Sequence, residues 1–299
     1  MDENEKQAAS KPSAEGTVNH KRPSAKIIAI VCVVIVAVIA ASACWFVNYQ
    51  IPHNEAVEVF NAAAKGLDSR NAKLDDAISD LQDLMGSDDK PLDTSMSDAA
   101  SAAIGDAQAA KKDVPEMPSD TDAINAEAKK IKGMGDYSEQ LTALDTANQN
   151  LQNSIDQMKQ VTNPSEQFVI ERLQGLPNIT GVEAATEQND PNGNLHKDGG
   201  YTSAVFFSSD LVDQSQTYAS EGYTGIPAIG TDGGGSVEVY ATIEDAQKRD
   251  TYLGALDGGI LSSGSHTVVG TCVVRVSDLL TASQQKAIEQ SIIDSLTRL

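Results

Sequence analysis

The sequence predicts a membrane-anchored chain that combines a helical region with a C-terminal α+β domain. Three observations lead to this fold class. Residues 27–47 form an uncharged apolar run, residues 52–161 repeat apolar side chains at heptad spacing, and residues 164–299 are rich in Gly and in β-branched runs. We therefore predict a transmembrane helix, then an all-α helical bundle or coiled-coil stalk, then an α+β sandwich with the element order αβββαβα.

The composition excludes several classes of protein. The 299 residues hold 22 Lys and Arg against 43 Asp and Glu, which gives a formal net charge of −21. Binding of nucleic acid needs clustered basic residues that contact phosphates, so we predict no nucleic-acid partner. Three Cys are too few for a disulfide scaffold, and together with four His they supply few ligands for a metal cage.

The first 26 residues are predicted to be a disordered cytoplasmic tail. They mix charged residues with Ala, Ser, Pro and Gly and show no apolar periodicity. Such a segment buries too little apolar surface to offset the entropy of the chain.

Residues 27–47, the run IIAIVCVVIVAVIAASACWFV, are predicted to cross a lipid bilayer. A helix of this length at about 1.5 Å per residue matches the roughly 30 Å hydrocarbon core. Lys21, Arg22 and Lys26 precede the run; the tail before it carries a charge of +1 and the chain after it a charge of −22. Because basic residues flank cytoplasmic ends, we expect a single-pass plasma-membrane protein with its N-terminus inside and its C-terminal part outside.

Two alternatives to a retained anchor stay open at the level of sequence. Ala41-Ser42-Ala43 has the small residues of a signal-peptide cleavage site, and Cys44 then takes the position of the lipid-accepting Cys of a lipoprotein. The long polar leader, and the apolar residues that continue from Trp45, favour a retained anchor.

Heptad spacing predicts two long amphipathic helices between residues 52 and 161. The first stripe reads Phe60, Ala64, Leu67, Asn71, Leu74, Ile78, Leu81 and Met85, and the second reads Leu141, Leu144, Asn148, Leu151, Ile155 and Met158. Ile51-Pro52 is predicted to end the anchor and to start the first of these helices. Weaker helices are predicted over about 95–112 and 120–132. Oligomerisation through this region is compatible with the heptad pattern.

Asn71 and Asn148 each occupy a core position of their stripe. A buried Asn at such a position often fixes helix register. One hypothesis is that the two residues pair at similar height in a bundle, and the alternative is that each faces solvent.

Residues 74–112, LDDAISDLQDLMGSDDKPLDTSMSDAASAAIGDAQAAKK, resemble a FIVAR-type helical repeat of Gram-positive surface proteins. The shared features are a short amphipathic helix, a link containing Lys, Pro and Leu-Asp, and an Ala-rich helix ending near Gln-Ala. Leu92 stands where the family has an aromatic residue in the link. The resemblance implies a spacer or cell-surface interaction role rather than catalysis.

The C-terminal region is predicted to be a largely antiparallel sheet with helices covering one face. We predict a helix over 166–173, strands over 180–186, 201–208 and 236–241, a helix from Thr242 to about 256, one long strand over 266–277, and a helix to 296 that opens with a capping box at Thr281 and Gln284. A ferredoxin-like topology is one candidate.

The segments SVEVYATIEDAQKRDTYL and GTCVVRVSDLLTASQQKAIEQSI, together with IPHNEAVEVFNAA after the anchor, resemble uncharacterised single-pass membrane-anchored proteins of high-GC Gram-positive bacteria. The resemblance implies a location and a layout, and it implies no activity.

Residues 190–198 space oxygen-bearing side chains as a calcium loop does. These side chains are Asp190, Asn192, Asn194 and Asp198. Leu195 stands where a calcium loop has Gly, and Tyr201 stands where it has a bidentate Glu. A polar hairpin tip is therefore the favoured interpretation.

Other candidate sites also favour structural interpretations. Residues 230–235 are Gly-rich but precede a predicted strand, the reverse of the order in a nucleotide-binding loop, so a flexible turn is predicted. Ser265-His266 lacks the G-x-S-x-G motif of a hydrolase, so a His at a strand edge is predicted. Cys272, among Val residues, is predicted to be a buried inert thiol. Glu238 and Arg275 are predicted to form a cross-strand ion pair, worth little if exposed.

The sequence thus predicts no catalytic residues, no cofactor and no metal site. We expect an extracytoplasmic, non-enzymatic binding protein whose partners are the lipid bilayer, through residues 27–47, and an envelope protein or polymer. An accessory subunit of a membrane or cell-envelope complex is the alternative, and an enzyme of unknown type is the third possibility.

Overall fold

The structure is a computed structural model that describes residues 25–259 and 264–299. The predicted N-terminal tail lies outside the described residues up to position 24. Contacts within the chain group it into two compact units. The first comprises Met1–Gly66 and Val114–Gly133, and the second comprises Leu67–Asp113 and Met134–Leu299.

A continuous helix of 61 residues runs from Ala25 to Met85. It consists of α1 (Ala25–Trp45), a π-helical turn (Phe46–Gln50) and α2 (Ile51–Met85). The prediction that Ile51-Pro52 ends the first helix is therefore wrong. Proline lacks an N–H, and its ring clashes with the carbonyl one turn earlier. The wider π turn directly before Pro52 accommodates both effects without ending the helix.

Three further helices follow, over the segments that the sequence predicts. They are α3 (Ser95–Ala110), α4 (Thr121–Lys132) and α5 (Ser138–Gln160). In the first unit, the Asp120 carboxylate caps α4 by accepting hydrogen bonds from the backbone N–H groups of Asp122 and Ala123. His53 Nδ1 lies 3.1 Å from Thr121 Oγ1 and so joins the start of α4 to α2 within that unit.

In the second unit, α2, α3 and α5 pack around a shared apolar core. This core is formed by Leu74, Ile78, Leu81, Ala100, Ile104, Ala107, Tyr137, Leu144, Ala147, Leu151 and Ile155. The hypothesis that Asn71 pairs with Asn148 is not supported. The Asn71 amide instead donates to the carbonyl of Lys112, and its side-chain oxygen accepts from the Tyr137 hydroxyl, 2.7 Å away.

Within the described residues, five antiparallel strands form the C-terminal sheet in the order β1-β2-β3-β5-β4. The strands are β1 (Ile179–Ala184), β2 (Ser203–Ser209), β3 (Gly234–Val239), β4 (Ser265–Val269) and β5 (Cys272–Val276). The helices of this region are α6 (Glu166–Leu173), α7 (Ile243–Gly254) and α8 (Ala282–Thr297). Short 3₁₀ turns span Gln214–Gln216 and Ile226–Ile229.

The predicted long strand over 266–277 is wrong, because it is a hairpin of β4 and β5. Gly270 and Thr271 form the two-residue turn between paired Val269 and Cys272. The element order is therefore αβββαββα. The ferredoxin-like candidate is also wrong, because that fold runs βαββαβ, whereas here β1, β2 and β3 follow one another without an α-helix between them and lie side by side in the sheet.

Gly270 is expected to be essential to this hairpin. Its φ is +59°, and a Cβ there would lie 2.3 Å from the Val161 carbonyl oxygen. Gly270→Ala should therefore lower the free energy of unfolding by about 2 kcal/mol or more. Urea unfolding of the detergent-solubilised chain, followed by circular dichroism, measures this loss.

Gly105→Ala is the matched control for Gly270→Ala. Gly105 lies inside α3, and a Cβ added there meets no atom within 4 Å. Alanine is a better helix former than glycine, so this variant should gain about 0.5–1 kcal/mol. Equal effects of the two substitutions would contradict the described turn.

Helices cover both faces of the sheet, whereas the sequence predicted coverage of one. On one face, α6 and α8 pack against side chains such as Val205, Val237 and Val274. On the other face, α7 packs through Ala246 and Leu253 against neighbours that include Ala204, Phe206 and Val273. Because α7 covers this second face, polar side chains on it are removed from water.

Candidate functional site

A buried ionic cluster lies on the sheet face under α7. Glu238 of β3 is fully buried, and Arg275 of β5 is 4% exposed. Arg275 Nη1 lies 2.7 Å from Glu238 Oε1. Arg249 of α7 forms two further bonds to the same carboxylate, from Nε to Oε2 at 2.8 Å and from Nη2 to Oε1 at 3.0 Å.

The predicted ion pair between Glu238 and Arg275 is thus present, but it is buried and has a third member. From the sequence, the pair was expected to contribute little to stability if it were exposed. Because α7 covers the pair, that condition is not met. A buried charge that loses its partner is costly, because burial keeps water from compensating it. The three residues therefore act as one unit that joins β3, β5 and α7.

The charge of Glu238 is stabilised in place. Burial by itself would raise the pKa of the Glu238 carboxyl, but the charges of Arg275 and Arg249 outweigh burial and hold its pKa below the ordinary value of 4.5. The same partnership raises the pKa of Arg249 despite its burial. Both charges are therefore present at neutral pH.

The stability of the fold should consequently depend on pH in the acid range. Because the pKa of Glu238 is lower in the folded state, the unfolded state binds more protons below about pH 4.5. Glu238 therefore contributes its full stabilisation of the fold above this pH. The stabilisation is lost as the pH falls through the pKa that the Glu238 carboxyl has in the folded state. Urea midpoints measured from about pH 6 to pH 3 should show the difference between wild type and Glu238→Gln shrinking. A difference independent of pH would contradict the assignment.

Two tyrosines extend the cluster to the loop before β2. The Tyr240 hydroxyl donates to Glu238 Oε2 at 2.9 Å. The ring of Tyr240 meets that of Tyr201 edge to face, with the ring centres 6.1 Å apart. The pKa of Tyr240 is raised mainly by burial and next by the charge of Glu238. The pKa of Tyr201 is raised mainly by burial and next by the hydrogen bond to Asp190. Both phenols therefore stay protonated and act as donors.

Asp190 organises the loop over residues 190–200. Its buried carboxylate accepts hydrogen bonds from the Tyr201 hydroxyl and from the backbone N–H groups of Asn192, Asn194 and Leu195. These oxygens are occupied by donors of the loop itself, as in a polar turn. Across residues 25–259 and 264–299, no group of three or more His, Cys, Asp and Glu side chains is arranged to hold a metal ion.

A polar cleft of ≈ 510 Å³ lies between this loop and α7, and we name it the α7 cleft. Its lining side chains are Asn192, Asn194 and Asp198 of the loop, Asp245, Lys248, Arg249 and Tyr252 of α7, and Tyr240. Gly199 and Gly200 complete the wall. A Cβ at Gly200 would lie 1.9 Å from the Asn194 carbonyl oxygen, so the loop requires glycine at this position.

The other residues singled out in the sequence lie outside this cleft. Both ring nitrogens of His266 face carboxylates. Nδ1 lies 2.6 Å from the Asp250 carboxylate and Nε2 lies 3.3 Å from the Asp257 carboxylate, so neither nitrogen is directed at Ser265. Burial raises the pKa of the Cys272 thiol to about 12, which makes it unreactive.

The Gly-rich segment 230–235 is only partly the flexible turn that was predicted. Gly234 and Gly235 belong to β3, and a Cβ on Gly235 would collide with the Phe207 ring and with the Arg275 carbonyl. Its glycines therefore allow close packing between strands.

Sequence reasoning found Glu238 and Arg275 but missed Arg249, Tyr252 and the loop side of the cleft. The signal available in the sequence was the spacing of Arg249 and Tyr252, which are three residues apart on one predicted helix and so lie on the same face of it. That signal is weak, since nothing local shows that a loop some 50 residues earlier faces the helix.

Comparison with protein-family models, with curated proteins and with solved structures finds no match to this chain.

Proposed function

We propose that the chain is a non-enzymatic binding protein anchored in the plasma membrane by residues 27–47. In this proposal the N-terminus is cytoplasmic, and the chain from residue 52 onward lies outside. The resemblance of residues 74–112 to surface-protein repeats agrees with this placement.

The observation that carries the proposal is the exposure of α1. Its 21 residues carry one charge, Lys26 near its start, and none is buried, so large side chains such as Ile30, Val33 and Val36 are more than half exposed. A water-soluble chain would leave this continuous apolar surface in contact with water, which is unfavourable. In a bilayer the same helix satisfies its backbone hydrogen bonds internally and buries its side chains in lipid.

Binding through the C-terminal domain is supported by the α7 cleft. It is open to solvent and lined by polar groups, and its walls are fixed by the Asp190 turn and by the ionic cluster. A preorganised pocket binds with a smaller entropic cost than a loose one.

Reporter fusions test the topology. A phosphatase that is active only outside the cytoplasm should be active when fused after Leu299 and inactive when fused before Met1. A fluorescent protein that folds only inside should give the reverse result. The opposite pattern would overturn the proposal, and so would turnover of an envelope polymer by the purified chain, because the proposal is non-enzymatic.

A further inference from the structure

We propose that the α7 cleft is a binding site for a neutral saccharide, which deepens and rests on the proposed role as a surface binding protein. Three features of the cleft support this assignment, namely its charge balance, its free hydrogen-bonding groups and its exposed aromatic ring.

The charge balance of the cleft does not favour an anion. Lys248 Nζ lies 2.8 Å from Asp245 Oδ1, and the guanidinium of Arg249 is held by Glu238. Asp245 therefore neutralises Lys248. Arg249, in contrast, shares the charge of Glu238 with Arg275, which leaves one positive charge in the buried cluster. Asp198 on the wall of the cleft balances this remaining positive charge. Phosphorylated or sulfated ligands would find no net positive charge in the cleft, whereas an uncharged polar ligand does not need one.

Polar groups that line the cleft are available to a ligand. Among the described residues, the Asn194 side-chain amide, the Asp198 carboxylate and the Tyr252 hydroxyl form no hydrogen bond with the protein. The amide supplies donors and an acceptor, the carboxylate only acceptors, and the phenol both. Neighbouring hydroxyls of a sugar, each a donor and an acceptor, match such a mixed set.

Tyr252 supplies the apolar contact that a sugar ring requires. Its side chain is 57% exposed, although it lines the cleft. The Arg249 guanidinium lies 5.6 Å from the ring centre, a cation–π contact that favours this position of the ring. An exposed aromatic ring, which has only two side-chain torsions to fix, can pack against the C–H face of a pyranose at low entropic cost.

The size of the cleft fits this ligand class. Its volume of ≈ 510 Å³ falls within the roughly 300–1,000 Å³ of pockets that hold small molecules. Few of its lining side chains are apolar, so a polar ligand fits better than a hydrophobic one.

The experiment is a binding assay with the full chain in lipid nanodiscs, which avoids the sugar headgroups of glycosidic detergents. The probes are neutral tetrasaccharides of glucose, mannose, galactose and N-acetylglucosamine, with heparin as the anionic comparison, measured by saturation-transfer NMR and calorimetry. At least one neutral tetrasaccharide should bind at millimolar concentration or below. Binding of heparin alone, or of none of the probes, would overturn the proposal.

Two tyrosine variants assign the binding to the cleft. Tyr252→Ala should weaken binding of the neutral sugar at least tenfold, whereas Tyr218→Ala, at a side chain 82% exposed outside the cleft, should leave it unchanged. Asn194→Ala should also weaken binding. Unchanged affinity in both cleft variants, with circular dichroism confirming that they fold, would place the sugar elsewhere and refute the α7 cleft as its site.

The topology result separates the two proposals. An external C-terminus without sugar binding rejects the saccharide site and leaves the surface binding protein intact. A cytoplasmic C-terminus rejects the proposed function whatever the cleft binds.

Discussion

Glu238→Gln is expected to destabilise the C-terminal domain by about 3–5 kcal/mol. The substitution keeps the shape of the side chain but removes its charge. Arg275 and Arg249 then remain as two positive charges with little or no access to water, since the Arg249 side chain is only 12% exposed. Removal of the carboxylate that pairs with buried charges is among the largest costs that a single substitution can impose. Urea unfolding of the detergent-solubilised chain measures the loss.

Glu244→Gln is the matched control for this prediction. Glu244 lies on the exposed side of α7 and its substitution removes the same charge. Changes at such surface positions usually stay within about 0.5 kcal/mol. A loss in Glu238→Gln no larger than that in Glu244→Gln would mean that water reaches the cluster, which would contradict the described burial.

A triple replacement separates the ionic contribution from packing. Glu238, Arg249 and Arg275 changed together to Met remove all three charges and keep comparable volume. Well-packed apolar replacements of buried ion pairs are often neutral or stabilising. The triple variant should therefore be more stable than Glu238→Gln alone, although it carries more changes. If it is the least stable variant, the cluster contributes through packing rather than charge.

Elements with local signals could be predicted from the sequence. The final helix begins as expected, because Thr281 and Gln284 form a reciprocal capping box that depends only on residues three positions apart. Helix α7 begins after Thr242, whose hydroxyl accepts a hydrogen bond from the Asp245 backbone N–H. Such contacts are fixed by neighbouring residues, so tertiary structure does not alter them.

The β4–β5 hairpin was missed because its turn lies within an apolar run. In HTVVGTCVVRVS the residues on both sides of Gly270 are β-prone, so the segment resembles one long strand. The deciding evidence is the left-handed conformation of Gly270 and its proximity to Val161, more than 100 residues earlier in the chain. A Gly-Thr dipeptide does carry a turn signal, but a weaker one than Asn-Gly.

The burial of Glu238 could not be predicted from its own strand. Alternation in SVEVYA places Glu238 on the face opposite Val237 and Val239, which is typical of a solvated face. Whether that face is solvated depends on α7, which is separate from the strand and covers it. The α7 cleft depends on the same long-range arrangement, and it includes a loop far from α7 in sequence.

Charged residues in the middle of α1 are expected to abolish membrane anchoring. Val34 and Val38 lie one turn apart near the centre of the apolar run and are more than half exposed. Each Arg at the centre of a transmembrane helix costs about 2.5–3.5 kcal/mol on insertion scales, so Val34→Arg with Val38→Arg costs about 5–7 kcal/mol. The double variant should appear in the soluble fraction after alkaline carbonate extraction or be degraded, whereas Val34→Leu with Val38→Leu should stay in the membrane.

The same assay decides between a retained helix and a lipid anchor at Cys44. If the helix itself spans the membrane, Cys44→Ser leaves anchoring unchanged, and the intact mass corresponds to the full chain of 31.5 kDa. If a lipid on Cys44 holds the protein after cleavage, Cys44→Ser releases it or blocks its processing, and the mature mass lacks the preceding residues. Apolar residues continue past the cut after Ala43, through Trp45, Phe46 and Val47, and this continuation favours the first result. A mature protein that begins at Cys44 would contradict the retained anchor directly.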